Sequence, residues 1–405
     1  MICVREKYQE VTKAAREKIL EAYSFQGKTP ATLIIDAPNW VFGELIGTIP
    51  EDYCRGNYKV MLEHQLAKIE HHFKQNYVAD CYEPFLMPWY GTCVLSSGFG
   101  VECVTNPNMD PAVGAAILNK TDDVYELKIP DFEHDGMMPM VLETIDYFRE
   151  NCDLPIMLTD SQGPLSTALS LAGYENFIYW MYDEPEVIHL LMQKVTDAFI
   201  GWSRIQKRRI GIADEEPGYQ MAVRTGTGKG GIVFSDDDSI ILDAEAYREF
   251  VKPYNEQILA AFGGGCIHCC GSVNHQAENL KDTDGLTLYH NMTLDHLEDA
   301  AKLQVKLAEK GIAMVVGDFA PADDRIDSYY QEAAEHLSPQ GLILASYIAP
   351  ATALRKGKYD AVERDAKKLG MMVYEAIHKY FIPEKNTVFF EDSVNMQGKN
   401  SSLLR

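Results

Sequence analysis

Seven short apolar runs constrain this chain more than any other feature. They are ATLIID (31–36), PIMLTD (155–160), GIVFSD (231–236), GCIHCC (265–270), GLTLYH (285–290), IAMVVG (312–317) and GLILAS (341–346). Runs of this length, apolar on both alternating faces and bounded by polar or glycine residues, read as strands covered on two sides. Long helical patterns separate most of them, as at 176–209, 244–263 and 328–338. Strands alternating with helices predict a parallel sheet. In the second half the strands recur roughly every twenty to thirty-five residues, the spacing of an α/β chain folded as a (β/α)8 TIM barrel. A doubly wound open sheet would want a glycine-rich phosphate loop after its first strand, and ATLIIDAPNWVFGEL has none.

The pattern divides the chain into an N-terminal helical extension (1–30), one barrel domain (31–385) and a loose C-terminal tail (386–405). An insertion interrupts the barrel at about 80–150, where Pro, Gly, Tyr and Trp crowd together with little periodicity. It is expected to hold a hairpin or two and to lie over one end of the barrel as a lid or substrate wall.

Charge excludes two classes of partner. Acidic residues outnumber basic ones, 60 to 37, for a formal charge of −23. Such a surface repels nucleic acid backbones and anionic lipid. No run of eighteen apolar residues is present, and the first residues lack the continuous apolar stretch of a signal peptide. The expectation is a cytoplasmic protein, monomeric or homodimeric, whose nine scattered cysteines are reduced thiols.

The stretch GGGCIHCCGSVNH (263–275) carries the strongest chemical signal. On a strand, side chains two apart share a face, so His268 and Cys270 point the same way and Cys269 the other. One imidazole and one thiolate converging at a strand's end are zinc-type donors, and barrel chemistry collects where strands end. Two ligands fall short of the usual three. His290, at the end of the next strand, is the natural third, with an acidic residue or water as substitutes. The alternative is a buried strand whose histidine is hydrogen-bonded and whose cysteines only pack.

From about 153 to 365 the chain resembles the uroporphyrinogen decarboxylase superfamily, which includes cobalamin-linked methyltransferases. LPIMLTDSQGPLSTALSLAGYENFIYW resembles its Gly-Pro segment, SDDDSIILDAEAYREFVKPYNEQI its Asp-rich loop and following helix, and IHCCG the His-x-Cys-Gly metal motif of the methyltransferase branch. The decarboxylases hold a polycarboxylate with an early arginine-containing segment. The corresponding ATLIIDAPNWVFGELIG has no arginine, which favours the methyltransferase branch. Relatives that deliver methyl groups to thiols carry a second cysteine after the last strand. Here GLILASYIAPATAL has none, leaving His290, Tyr347 or an acidic residue to complete the site.

The resemblance implies a zinc-dependent methyltransferase working between a small methylated substrate, such as a methyl ether, and a corrinoid (cobalamin) carried by a partner protein. The chain itself has no DxHxxG corrinoid signature. Other residues at strand ends are candidates to line the pocket: Asp36 and Asn39 after the first strand, Asp160, Gln162 and Gly163 after PIMLT, and Asp237 in the SDDDS loop. Asp160 and Asp36 are the candidate catalytic groups; Asn39, Gln162, Gly163, Asp237 and Tyr347 are candidate substrate contacts. An aspartate at a strand–helix junction also serves as a helix N-cap. Two other readings remain open: a metal-free decarboxylase using Asp36 or Asp160, and a barrel that binds a ligand without turning it over.

Overall fold

The structure, a computed structural model, describes residues 1–36, 52, 54–106, 109–220, 223–293, 296–319, 325–348 and 359–382. Asn39 and the tail 386–405 lie outside the described residues. The strands are β1 (Ala31–Ile35), β2 (Cys103–Asn106), β3 (Met109–Val113), β4 (Tyr219–Gln220), β5 (Val223–Arg224), β6 (Ile232–Ser235), β7 (Gly265–Cys270), β8 (Leu286–Met292), β9 (Ala313–Phe319) and β10 (Leu342–Tyr347). Six of them form one parallel sheet in the order β1-β10-β9-β8-β7-β6. Each predicted run except PIMLTD thus appears as a strand, shifted by two residues or fewer.

PIMLTD takes part differently. Between β6 and β1, single parallel bridges join Gln162 to Ser235, Leu86 to Ile156 and Thr32 to Asp80. The segments around 80–87 and 155–162 therefore occupy the two remaining positions of an eight-membered ring. The ladder is not continuous there, which is why only six strands pair along their length. The stretch read as an insertion begins inside this ring, at Asp80, and only then leaves it. Further along it carries the antiparallel hairpin β2–β3.

The period of two sorts the side chains into two cores. Leu33, Ile35, Val233, Cys266, Leu288, Met292, Val315, Ile343, Ala345 and Tyr347 pack together inside the ring. Their sequence neighbours Ile34, Phe234, Ile267, Cys269, Tyr289, Met314, Val316 and Leu344 pack outward with the helices. The helix Gln9–Tyr23 joins the inner group through Ala15, Ile19, Ala22 and Tyr23. It lies against residues near the strand starts, such as Ala31 and Ala313, and the Tyr23 hydroxyl accepts from Gly226 N–H at 3.0 Å. One end of the barrel is thereby plugged, which leaves the ends of the strands for chemistry.

Two long helical patterns are interrupted by proline. The stretch 176–209 divides into Tyr174–Asp183 and Pro185–Ile210, and 244–263 into Ala244–Phe250 and Lys252–Ala261. Proline lacks the N–H that would continue a helix but suits its first turn. The thiols also depart from expectation. Cys93 and Cys103 are joined by a disulfide, tying β2 to the short helix Val94–Gly98, while the other seven cysteines are free. Ten residues separate the pair and their Cα atoms are 6.1 Å apart, within bridging range.

Candidate metal centre

The parallel register builds the site. Ser235 pairs with His268, and His268 with His290, so the ends of β6, β7 and β8 lie side by side. Past the end of β6 the chain keeps pairing for one more step, with Asp236 N–H donating to His268 O at 2.7 Å. It then turns into the 3-10 helix Asp237–Ile241. That turn swings Asp237 over the end of β7, where its Oδ1 accepts from Cys270 N–H at 2.8 Å.

Three unlike donors meet there. His268 Nε2 is 3.4 Å from Cys270 Sγ and 3.5 Å from Asp237 Oδ1. All the ligand atoms of Asp237, His268 and Cys270 lie within 4.8 Å of one another. No other such group of His, Cys, Asp and Glu is found among the described residues. His268 is buried, while Cys270 and Asp237 are half-buried and accessible from the strand-end side. Nitrogen, sulfur and oxygen donors from three residues suit a borderline ion such as zinc with one position left open. The residues fit that ion electrostatically as well. Burial, and then the Asp237 carboxylate, push the Cys270 thiol up to about 12. Burial holds His268 below its ordinary value, with Asp237 partly offsetting it. A bound dication reverses both penalties at once.

The group of side chains close enough to share an ion brings Asp237, and not His290, together with His268 and Cys270. His290 sits behind His268, its Nδ1 2.9 Å from His268 Nδ1, on the opposite side of that ring from Cys270 and Asp237. It is fully buried, and burial followed by the neighbouring His268 holds it well below its ordinary value. Asp237, expected as a substrate contact, lies beside His268 and Cys270 instead. The sequence signal is only that Asp237 directly follows a strand; that this strand lies beside β7 comes from the strand order.

Asp236, next to Asp237, anchors the loop. Its Oδ2 accepts from Tyr247 Oη at 3.0 Å and Asn255 Nδ2 at 2.9 Å. Burial dominates its titration, and with the neighbouring aspartates it raises the carboxyl to about 7 against the pull of those two donors.

The remaining candidates have other surroundings. Asp36 lies in a buried network: its Oδ1 is 3.3 Å from His72 Nδ1, and its Oδ2 accepts from Tyr77 Oη at 3.2 Å. Burial alone would raise its carboxyl, but His72 holds it below the ordinary value. Asp160 is buried in the bridging segment. Gln162 bridges Ser235, and its carbonyl accepts from Thr167 Oγ1 at 3.2 Å. Gly163 N–H donates to Ser235 O at 2.7 Å, and a Cβ at Gly163 would stand 2.8 Å from that same oxygen. The glycine is there for close approach of two backbones. Tyr347 ends β10 inside the ring, beside Gly317 of β9.

Residues 86–209 match the model of the uroporphyrinogen decarboxylase (URO-D) family. Over that segment the chain is similar to the uroporphyrinogen decarboxylase family. The match starts earlier than the resemblance read from 153 onward and overlaps it over the Gly-Pro segment and its helices. A Methylated-thiol--coenzyme M methyltransferase of Methanosarcina mazei is 28% identical over 185 residues, 44% of each chain. A uroporphyrinogen decarboxylase of Syntrophotalea carbinolica is 31% identical over 164 residues, 39% of this chain and 40% of that one. The chain thus aligns with less than half the length of these curated relatives. In fold it is similar to a methyltransferase from Methanosarcina mazei, with a TM-score of 0.64 at 18% identity, covering 91% of this chain and 99% of that one.

Proposed function

We propose that this protein is a zinc-dependent methyltransferase. It moves a methyl group between a small methylated substrate and a corrinoid on a separate protein. The observation that carries the reading is the convergence of Asp237, His268 and Cys270 at the end of β7. Similarity to a methyltransferase of Methanosarcina mazei over 44% of the chain supports the reaction class. That relative is named for a methylated thiol; the absence of a late cysteine in GLILASYIAPATAL favours an ether here.

A zinc ion held by these three side chains supplies Lewis acidity at the strand ends, towards a substrate oxygen or sulfur. The protein's own residues set the conditions for it. His268 keeps its Nε2 towards Cys270 and Asp237. Asp237 and a deprotonated Cys270 together balance the charge of a dication, so the centre needs no further counter-ion. Met292, at the end of β8, and Tyr347, at the end of β10, belong to the apolar group that Cys270 packs against, and they exclude water from one side of the site.

The decarboxylase alternative asks Asp36 or Asp160 to act without metal. Asp36 is ill-suited to donate a proton, because His72 stabilises its charged form. Metal content by mass spectrometry, on protein purified under reducing conditions, tests the reading beside Asp237→Ala, His268→Ala and Cys270→Ala. The expected result is about one zinc per chain, lost in all three variants. Methyl transfer between methylcobalamin and added thiols or methyl ethers then separates the substrate classes. An unaltered protein that takes up no zinc when it is offered defeats the proposal.

A further inference from the structure

His268 and His290 face each other through like atoms, Nδ1 to Nδ1, 2.9 Å apart. A hydrogen bond between them requires one proton in the gap. Both rings are buried, and a neutral imidazole carries one proton, on one nitrogen or the other. The proton in the gap therefore fixes both tautomers together. If it belongs to His290, then His268 bears its own proton on Nε2. If it belongs to His268, then His290 bears its own on Nε2.

Without a metal ion, the first arrangement satisfies more groups. His268 Nε2–H then faces Asp237 Oδ1 and Cys270 Sγ, both acceptors, at 3.5 and 3.4 Å. His290 Nε2, which has no hydrogen-bond partner among the described residues, is left as a bare acceptor. That is less costly than an orphaned donor. A metal ion at His268 Nε2 forbids this arrangement, because that nitrogen must offer its lone pair.

We propose that His290 is the positioning residue of the metal centre, and that the two rings exchange tautomers together when the ion binds. In the loaded form His268 Nδ1–H donates to His290 Nδ1, and the His290 proton sits on Nε2. This inference rests on the metal reading above. The proton count closes: the proton leaving His268 Nε2 is matched by one arriving at His290 Nε2, and the gap keeps one throughout. The only net release is the Cys270 thiol proton.

The exchange has a destination. His290 Nε2 is directed towards Gly317, where a Cβ would come within 3.0 Å of it and within 3.0 Å of Met292 Sδ. Gly317 leaves that room inside the ring. Loading the metal thus converts a buried acceptor there into a buried donor. His290 itself touches neither the ion nor its open position.

The test is nitrogen NMR of protein labelled at histidine, using ring correlations before and after zinc is added. The expected spectra show His290 protonated at Nδ1 in the metal-free protein and at Nε2 in the loaded one, with His268 changing in the opposite sense. His290→Phe removes the acceptor and is expected to weaken zinc binding about 10- to 100-fold in chelator competition. His290→Asn places an amide oxygen near the Nδ1 position and is expected to restore affinity to within a few fold. An unchanged His290 tautomer on loading, or a His290→Phe variant with unaltered zinc affinity, overturns the proposal. Failure of the underlying metal reading looks different: no zinc binds, while the metal-free spectrum still shows a single proton shared between the two Nδ1 atoms.

Discussion

His72 Nε2 lies 2.7 Å from Asp80 Oδ2, and the same ring reaches Asp36 with its other nitrogen at 3.3 Å. Asp80 also accepts from Ile34 N–H with its second oxygen, at 2.9 Å. The histidine therefore clamps the end of β1 to the segment that continues the ring. Burial opposes its charge, yet the two carboxylates outweigh it and push its pKa up to about 9 from 6.5. A folded-state pKa above the unfolded one means stability fully present below pH 6.5 and lost as pH rises through about 9. His72→Leu should thus destabilise the protein by on the order of 3 kcal/mol near pH 6 and by much less near pH 10. Urea denaturation of both proteins at the two pH values measures this. An equal penalty at both would show that packing, not charge, is what His72 contributes.

Gly163 makes a second, independent prediction about the ring. A Cβ there meets Ser235 O at 2.8 Å and Phe234 Cδ2 at 2.8 Å. One neighbour is backbone and the other is a fully buried ring, so neither yields cheaply. Gly163→Ala should cost about 1–3 kcal/mol by separating the bridging segment from β6. Hydrogen exchange at the Gly163 and Ser235 amides should quicken relative to those within β8, where the ladder is continuous. Uniform loss of protection across both would place the damage elsewhere.

How much of this was legible in the sequence follows from local periodicity. Six strands announced themselves because each is buried on both faces and flanked by helices. PIMLTD reads as a strand too, but its neighbours in the ring bond it only at single bridges, and bridges leave no periodic trace. The start of the ring's second member, Asp80 to Leu86, was hidden for the same reason. At the site, His268 and Cys270 were visible because a strand's period of two is local information. Asp237 beside them and His290 behind them depend on strand order and register, which no local pattern contains. The pairing of Asp36 with His72 also depends on a helix, Tyr58–Gln75, whose approach a single strand does not encode.

The disulfide runs against the expectation of reduced thiols and can be checked directly. Cys93 is fully buried and Cys103 partly so, so the bond is expected to survive mild reductant in the folded protein. Peptide mapping without reduction should recover residues around 93 and 103 as one linked species. Cys103→Ser should lower stability by about 2–4 kcal/mol, through a less constrained unfolded chain and a loosened β2–β3 hairpin. A variant as stable as the unaltered protein, with both thiols alkylated in the native sample, would show that the pair is reduced in solution.

Metal loading should itself stabilise the fold, and the size of the effect is set by mass action. The proposed ligands come from two adjacent segments: Asp237 follows β6, and His268 and Cys270 end β7. An ion bound to all three ties those ends together and binds the folded chain far better than the unfolded one. At a free zinc concentration a hundredfold above its dissociation constant, the gain is about 2.7 kcal/mol. Asp237→Ala should abolish most of that increment. In the metal-free protein the same change should cost only about 1 kcal/mol, because the side chain is 35% exposed and its clearest loss is the bond from Cys270 N–H. Thermal unfolding of both proteins, with chelator and across a zinc titration, separates the two quantities. A zinc-dependent rise of equal size in both would mean that Asp237 is not a ligand, and that the ion sits on His268 and Cys270 with a different third partner.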